Sequence, residues 1–247
     1  MIYKHANLNY EKSIFLTFDI DWAHDDVISD TIEILNAENI KATFFITHDC
    51  DVLNELRLNK NFELGIHPNF NPLLNGESGS EHFTQVVDRL MQLIPEAKSV
   101  RSHSLVQSSR MLDYFASCGL RIDANLYIPV NSGIICRPFT IWNTILRVPH
   151  FWEDDLQLLG NDIDKYDISI YLNYEGLKVF DFHPIHVYLN TECIDRYENA
   201  KPHYHNAVEL LKFRNYGADG TRQFLLDLIR ESKSRGFTFR ALEELLT

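Results

Sequence analysis

No apolar run in the sequence approaches about 18 residues, which excludes a membrane-spanning helix. The four cysteines, Cys50, Cys118, Cys136 and Cys193, form no C-x-x-C pair, so a zinc ribbon has no basis. They read instead as free thiols in a reducing compartment. Basic residues are scarce, 23 against 35 acidic ones, and the net charge of -12 argues against a nucleic-acid partner. Neither phosphate-loop pattern, G-x-x-x-x-G-K-[ST] or G-x-G-x-x-G, occurs, and the G-x-S-x-G nucleophile elbow is missing too. The first twelve residues are polar and lack the apolar stretch of a signal peptide, so a cytoplasmic location is expected. Linkers, charge blocks and low-complexity segments are also missing. One domain over 1–247 is therefore expected, and 45% hydrophobic residues suffice for one core. Nothing in the pattern sets an oligomeric state.

What is present is an alternation of strand-like and helix-like stretches. Residues 13–21, 42–47, 62–67, 99–101, 120–127, 144–148, 177–182 and 237–239 read as strands. Between them, 27–38, 51–58, 80–93, 108–118 and 221–235 read as helices. Phe83, Val86, Val87, Leu90 and Leu93 carry the helical period of one, and Gly119 is placed as the C-cap of another. Repeated βα units imply an α/β fold with a parallel sheet or barrel and helices outside. Residues 128–176 and 190–219 are less regular and read as loops that shape a pocket.

The chemistry concentrates at strand ends. The run Ser13-Ile14-Phe15-Leu16-Thr17-Phe18-Asp19-Ile20-Asp21-Trp22 ends in two carboxylates, where parallel α/β proteins place their active groups. Residues i and i+2 of a strand point the same way, and two close like charges call for a cation or a shared proton. His48, His67, His103 and His183 each fall at or just past a strand end, and His24 follows Asp21 by three residues. Imidazole with carboxylate suits zinc and similar divalent metals.

The run Thr17-Phe18-Asp19-Ile20-Asp21, then Ala42-Thr43-Phe44-Phe45, then Glu63-Leu64-Gly65-Ile66-His67-Pro68 resembles the polysaccharide deacetylase superfamily (NodB homology, carbohydrate esterase family 4). Arg101 resembles its third motif, Trp152 with Asp154 or Asp155 its fourth, and Phe180-Asp181-Phe182-His183-Pro184 its last. The resemblance runs from about residue 13 to 186 and implies a distorted (β/α)7 barrel that removes acetyl groups from sugars with a divalent metal. Zinc is the metal expected, with cobalt, nickel or manganese as substitutes. Carried over, Asp19 is the general base acting on the attacking water, and His183 the general acid for the leaving amine. Asp21 and His67 are metal ligands, and Arg101 orients Asp19. Trp22, Trp152 and Asp154 are taken as substrate-binding.

The chain departs from the family where a second metal histidine is usual. Asn71 stands there, so Asn71 or His103 completes the site, with His48 and His24 behind them. The third motif reads Arg101-Ser102-His103-Ser104, without the usual proline and aromatic. Bland readings stand beside these. Asp19 and Asp21 could cap the next helix, although Asp25 or Asp26 is better placed for that. Trp152 could be core, and Arg101 a structural ion pair. Pro184 argues against a helix across His183 and His186, so His183 alone is taken, and His203 and His205 read as surface loop. The expected function is N-deacetylation of an amino sugar or sugar conjugate in cell-surface polysaccharide biosynthesis. Another carbon–nitrogen hydrolase (a deformylase or amidase) and a non-catalytic sugar-binding relative are the alternatives.

Overall fold

The computed structural model describes residues 9–160, 166–217 and 219–246. At its centre is β1 (Ser13–Asp19), buried along its whole length. Its apolar residues carry no polar alternation because parallel neighbours and covering helices leave neither face wet. Strands β2 (Ala42–Ile46), β3 (Phe62–Ile66), β4 (Ser99–Val100), β5 (Ile122–Asp123), β6 (Phe139–Thr140), β7 (Leu146–Arg147), β8 (Trp152–Glu153) and β9 (Lys178–Phe182) complete the order β6-β7-β5-β4-β3-β2-β1-β9-β8. The last described strand, β10 (Thr238–Arg240), pairs with the start of β1, and among the described residues only β6 against β7 runs antiparallel. The run 146–153 begins on β5, touches Tyr127 through a bridge at His150, and ends on β9. That run closes the sheet, so seven staves form the distorted barrel expected: β1 to β5, the 146–153 run and β9.

Helices follow the strands: α1 (Asp25–Ala37), α2 (Leu53–Leu58), α3 (Asn71–Leu74), α4 (Phe83–Leu93), α5 (Ser109–Ser117), α6 (Asp154–Leu159), α7 (Ile168–Leu172), α8 (Pro184–Leu189), α9 (Ile194–Ala200), α10 (Ala207–Leu210) and α11 (Thr221–Ser234). Among the described residues no helix is long and apolar enough to cross a membrane. The N-cap of α1 is His24, whose ring accepts from the Asp26 N–H, so neither Asp25 nor Asp26 takes that role. Gly119 follows α5 at φ +89°, a left-handed position that ends the helix at low cost in a glycine. In β3, a Cβ on Gly65 would meet Ser99 Oγ at 2.5 Å and the Phe45 ring at 2.7 Å, so only glycine lets these staves approach.

Trp152 corrects an expectation. Its side chain is 0% exposed, stacked on Phe224 at 4.6 Å and packed against Phe180 and Phe182. An aromatic on a barrel stave faces either the mouth or the surrounding helices, and this one serves the core under α11. Pro184 is a second correction. It opens α8 at the first helical position, where its missing N–H costs nothing, instead of preventing a helix. The predicted 120–127 strand shrinks to β5 and the single bridge at Tyr127.

Candidate active site

The C-terminal ends of β1, β3, β4 and β9 bring the predicted groups to one mouth. β1 stops at Asp19, and the chain then turns sharply, with Asp21 at φ 38° and Trp22 at φ 56°. Non-glycine residues there cost about 1–3 kcal/mol each and cluster at functional sites. The turn aims Asp21 at His67, just past β3, and at His103, just past β4. Asp21 Oδ1 lies 3.1 Å from His67 Nε2 and 3.2 Å from His103 Nδ1, and the two ring nitrogens are 3.4 Å apart. Donors bound tetrahedrally to zinc at about 2.0–2.1 Å stand roughly 3.3–3.4 Å from each other, so this triangle fits such an ion. Burial would raise the Asp21 carboxyl, but hydrogen bonds from His103 and His67 and the neighbouring imidazole charges hold it well below the usual range.

Asn71 begins α3 instead, and its side-chain nitrogen donates to Ser104 Oγ at 3.1 Å, the residue after His103. Ser104 and Leu105 both have left-handed φ, which bends the loop that presents His103. Of the lesser candidates, His24 caps α1 and His48 pairs with Thr47 Oγ1 at 2.7 Å. Trp22 stays half-buried at the mouth, its ring edge-on to His103 at 5.3 Å.

Asp19 sits on the inner side of the triangle. Its Oδ1 accepts from Arg101 Nη1 at 3.1 Å, and its Oδ2 lies 3.4 Å from His67 Nδ1. Arg101 is fully buried and also donates to Asp181, to Thr17 Oγ1 and, through Nε, to the Ala124 carbonyl. Burial raises the Asp181 carboxyl well above its usual range, the Asp19 charge adding to it against the pull of Arg101.

His183 faces the triangle from β9. Asp154 accepts from its backbone N–H at 2.8 Å and pairs with its Nδ1 at 2.7 Å. Asp154 therefore orients His183 from a buried position, which corrects its assignment as a substrate-binding residue. With Nδ1 engaged, Nε2 points to the mouth, 3.6 Å from Asp21 Oδ2. Burial works against a charge on His183, but the carboxylates of Asp155 and Asp154 prevail and raise it well above the usual histidine value.

Two residues here were passed over in the sequence reading. His186, placed by α8 beside His183, holds Asp155 Oδ1 through Nε2 at 2.6 Å. Tyr204, inside the stretch taken as surface loop, donates its hydroxyl to the Asp21 carbonyl at 2.7 Å. Its neighbours behave closer to expectation, His205 being exposed and His203 stacked on Phe213. A tyrosine between two histidines is the only sequence signal that could have drawn attention there.

The profile of the WbmS-like polysaccharide deacetylases matches residues 16–201. Among solved structures, the chain is similar to WbmS of Bordetella bronchiseptica, provisionally assigned as a polysaccharide deacetylase involved in O-antigen biosynthesis. The two share 42% identity with a TM-score of 0.82, over 90% of this chain and 92% of that one. It also resembles the Bc1960 peptidoglycan N-acetylglucosamine deacetylase, at 16% identity and TM-score 0.52, over 95% of this chain and 87% of that one. BA3943, a CE4 family pseudoenzyme from Bacillus anthracis, is similar at 14% identity and TM-score 0.50, over 96% of this chain and 66% of that one. The last two likenesses concern the fold alone. No curated protein matches the chain.

Proposed function

The chain belongs to the WbmS-like polysaccharide deacetylases, and on that footing we propose that it is a metal-dependent N-deacetylase of an amino sugar or sugar conjugate in cell-surface polysaccharide assembly. One observation carries this reading: a carboxylate braced by Arg101 and a histidine braced by Asp154 face a single triangle of metal-type donors. Asp21, His67 and His103 would hold the ion, and their carboxylate-and-imidazole chemistry suits zinc, with cobalt, nickel or manganese as substitutes. Bound there, a divalent ion supplies Lewis-acid polarisation of the amide carbonyl and activation of a water.

The protein's own groups then divide the proton work. Asp19 takes the proton of the attacking water, and Arg101 keeps its carboxylate aimed and charge-balanced. His183 delivers a proton from Nε2 to the leaving nitrogen, because Asp154 occupies Nδ1. Trp22 offers a half-buried ring edge at the mouth where a pyranose face could lie. A pseudoenzyme shares the fold, so the barrel alone says nothing of turnover, whereas this acid, base and donor set is what a hydrolase requires. Acetate release from N-acetylated sugars tests the reading. Asp19→Asn should lower turnover on the order of 10²–10⁴-fold while metal content stays at the wild-type level. An Asp19→Asn protein with wild-type turnover sinks the mechanism, and formate as the product would shift the reading to a deformylase.

A further inference from the structure

Asp155 is a carboxylate at the mouth that neither the donor triangle nor the two braced pairs include. It follows Asp154 at the start of α6, and its side chain is 42% exposed, whereas Asp154 is buried. It does not float. His186 Nε2 holds Oδ1 at 2.6 Å, and His186 Nδ1 is itself held by Thr191 Oγ1 at 3.1 Å, with His186 only 1% exposed. This buried relay fixes Oδ2 at 3.9 Å from His183 Nε2, too far for a hydrogen bond between them. An atom set to the mouth side of the line joining them could lie within hydrogen-bond distance of both. That place belongs to the atom that receives the His183 proton.

We infer that Asp155 is a further catalytic residue, which accepts a hydrogen bond from the leaving nitrogen as that nitrogen becomes positively charged, and so favours amides over esters. The inference rests on the deacetylase reading above. In that reaction the water gives its proton to Asp19 and its oxygen to the carbonyl carbon. The amide nitrogen then takes the proton from His183 Nε2 and carries two hydrogens and a positive charge. The C–N bond breaks, its electron pair returns to nitrogen, and neutral amine and acetic acid leave. The Asp19 proton returns to His183 through solvent. Asp155 faces the one cationic stage of this sequence. An ester oxygen has no N–H to give and passes through no comparable cation.

The test is a matched pair of substrates, the methyl glycoside of N-acetylglucosamine and the methyl glucoside acetylated on oxygen at the same ring carbon. In the metal-loaded enzyme, Asp155→Asn should lower kcat/KM for the amide on the order of 10–100-fold, the range of one charge-assisted hydrogen bond. The ester should lose clearly less than the amide, sharing only the part that the Asp155 charge contributes through His183, with metal content and thermal unfolding as in wild type. An equal loss on both substrates, as expected if Asp155 acts only through His183, overturns the inference, and so does no loss on either. Both of those results leave the deacetylase reading standing. A wild type that turns over neither substrate fells that reading, and this inference with it.

Discussion

Arg101 sits wholly out of water with two carboxylates, Asp19 and Asp181, on one end of its guanidinium. One buried cation between two acids leaves an excess of negative charge, and the raised Asp181 carboxyl relieves part of it. The brace therefore serves two ends. It keeps Asp19 aimed at the mouth, and it satisfies groups that would otherwise be buried without partners. Removing the arginine leaves both acids facing each other in low dielectric, which typically costs about 3–5 kcal/mol. Arg101→Ala should lose stability of that order in urea unfolding. Asp181→Asn, which keeps an acceptor for Arg101 and Thr17, should stay within about 1 kcal/mol of wild type. Equal stabilities for wild type and Arg101→Ala would mean that the guanidinium is not the internal brace described.

At the opposite end of the barrel, β3 fastens the C-terminus. Glu63 Oε2 accepts from Thr43 Oγ1 at 2.8 Å and from the Glu243 N–H at 2.9 Å, and Thr43 Oγ1 in turn accepts from the Leu242 N–H. Burial raises the Glu63 carboxyl against the pull of the hydrogen bonds from Glu243 and Thr43. A folded-state value above the unfolded one, about 4.3, fixes the sign. The stabilising contribution is fully present below the unfolded value and is lost as pH rises through the folded one. Glutamine imitates the protonated form, so Glu63→Gln should gain stability relative to wild type between pH 4 and pH 8, read from urea melts across that range. A constant difference would contradict the shift. The same scale explains what the sequence revealed. β1, β2, β3 and β9 are buried on both faces and stand out as apolar runs, and α4 and α5 show a clear helical period. Asp19, Asp21, His67 and His183 were legible because each closes such a run. β6 and β8 are two residues long, and α6 to α10 span four to seven, too short to show any period. His186 and Tyr204 sit on those short pieces or beside them, and only the fold brings them to the mouth, as it does Asp155, which the sequence offered only as an alternative to Asp154.

Across the whole molecule, the donor triangle joins parts of the chain that are remote in sequence. Asp21 and His103 are 82 residues apart and meet only when β1, β2, β3 and β4 are side by side. An ion that binds this triangle therefore binds the folded chain far better than the unfolded one, and its affinity becomes stability. At a free concentration a hundred times the dissociation constant, the gain is about 2.7 kcal/mol, less whatever scattered His and Cys side chains of the unfolded chain hold. Urea melts of chelator-stripped protein, with and without added zinc, would measure it. The same melts decide between the two third donors that the sequence left open. The side-chain nitrogen of Asn71 goes to Ser104, whereas His103 Nδ1 stands within 3.4 Å of both other donors. His103→Ala should lose most of the zinc-dependent gain, and Asn71→Ala should keep it. The reverse pattern would move the third donor to Asn71 and undo the triangle on which the zinc assignment stands.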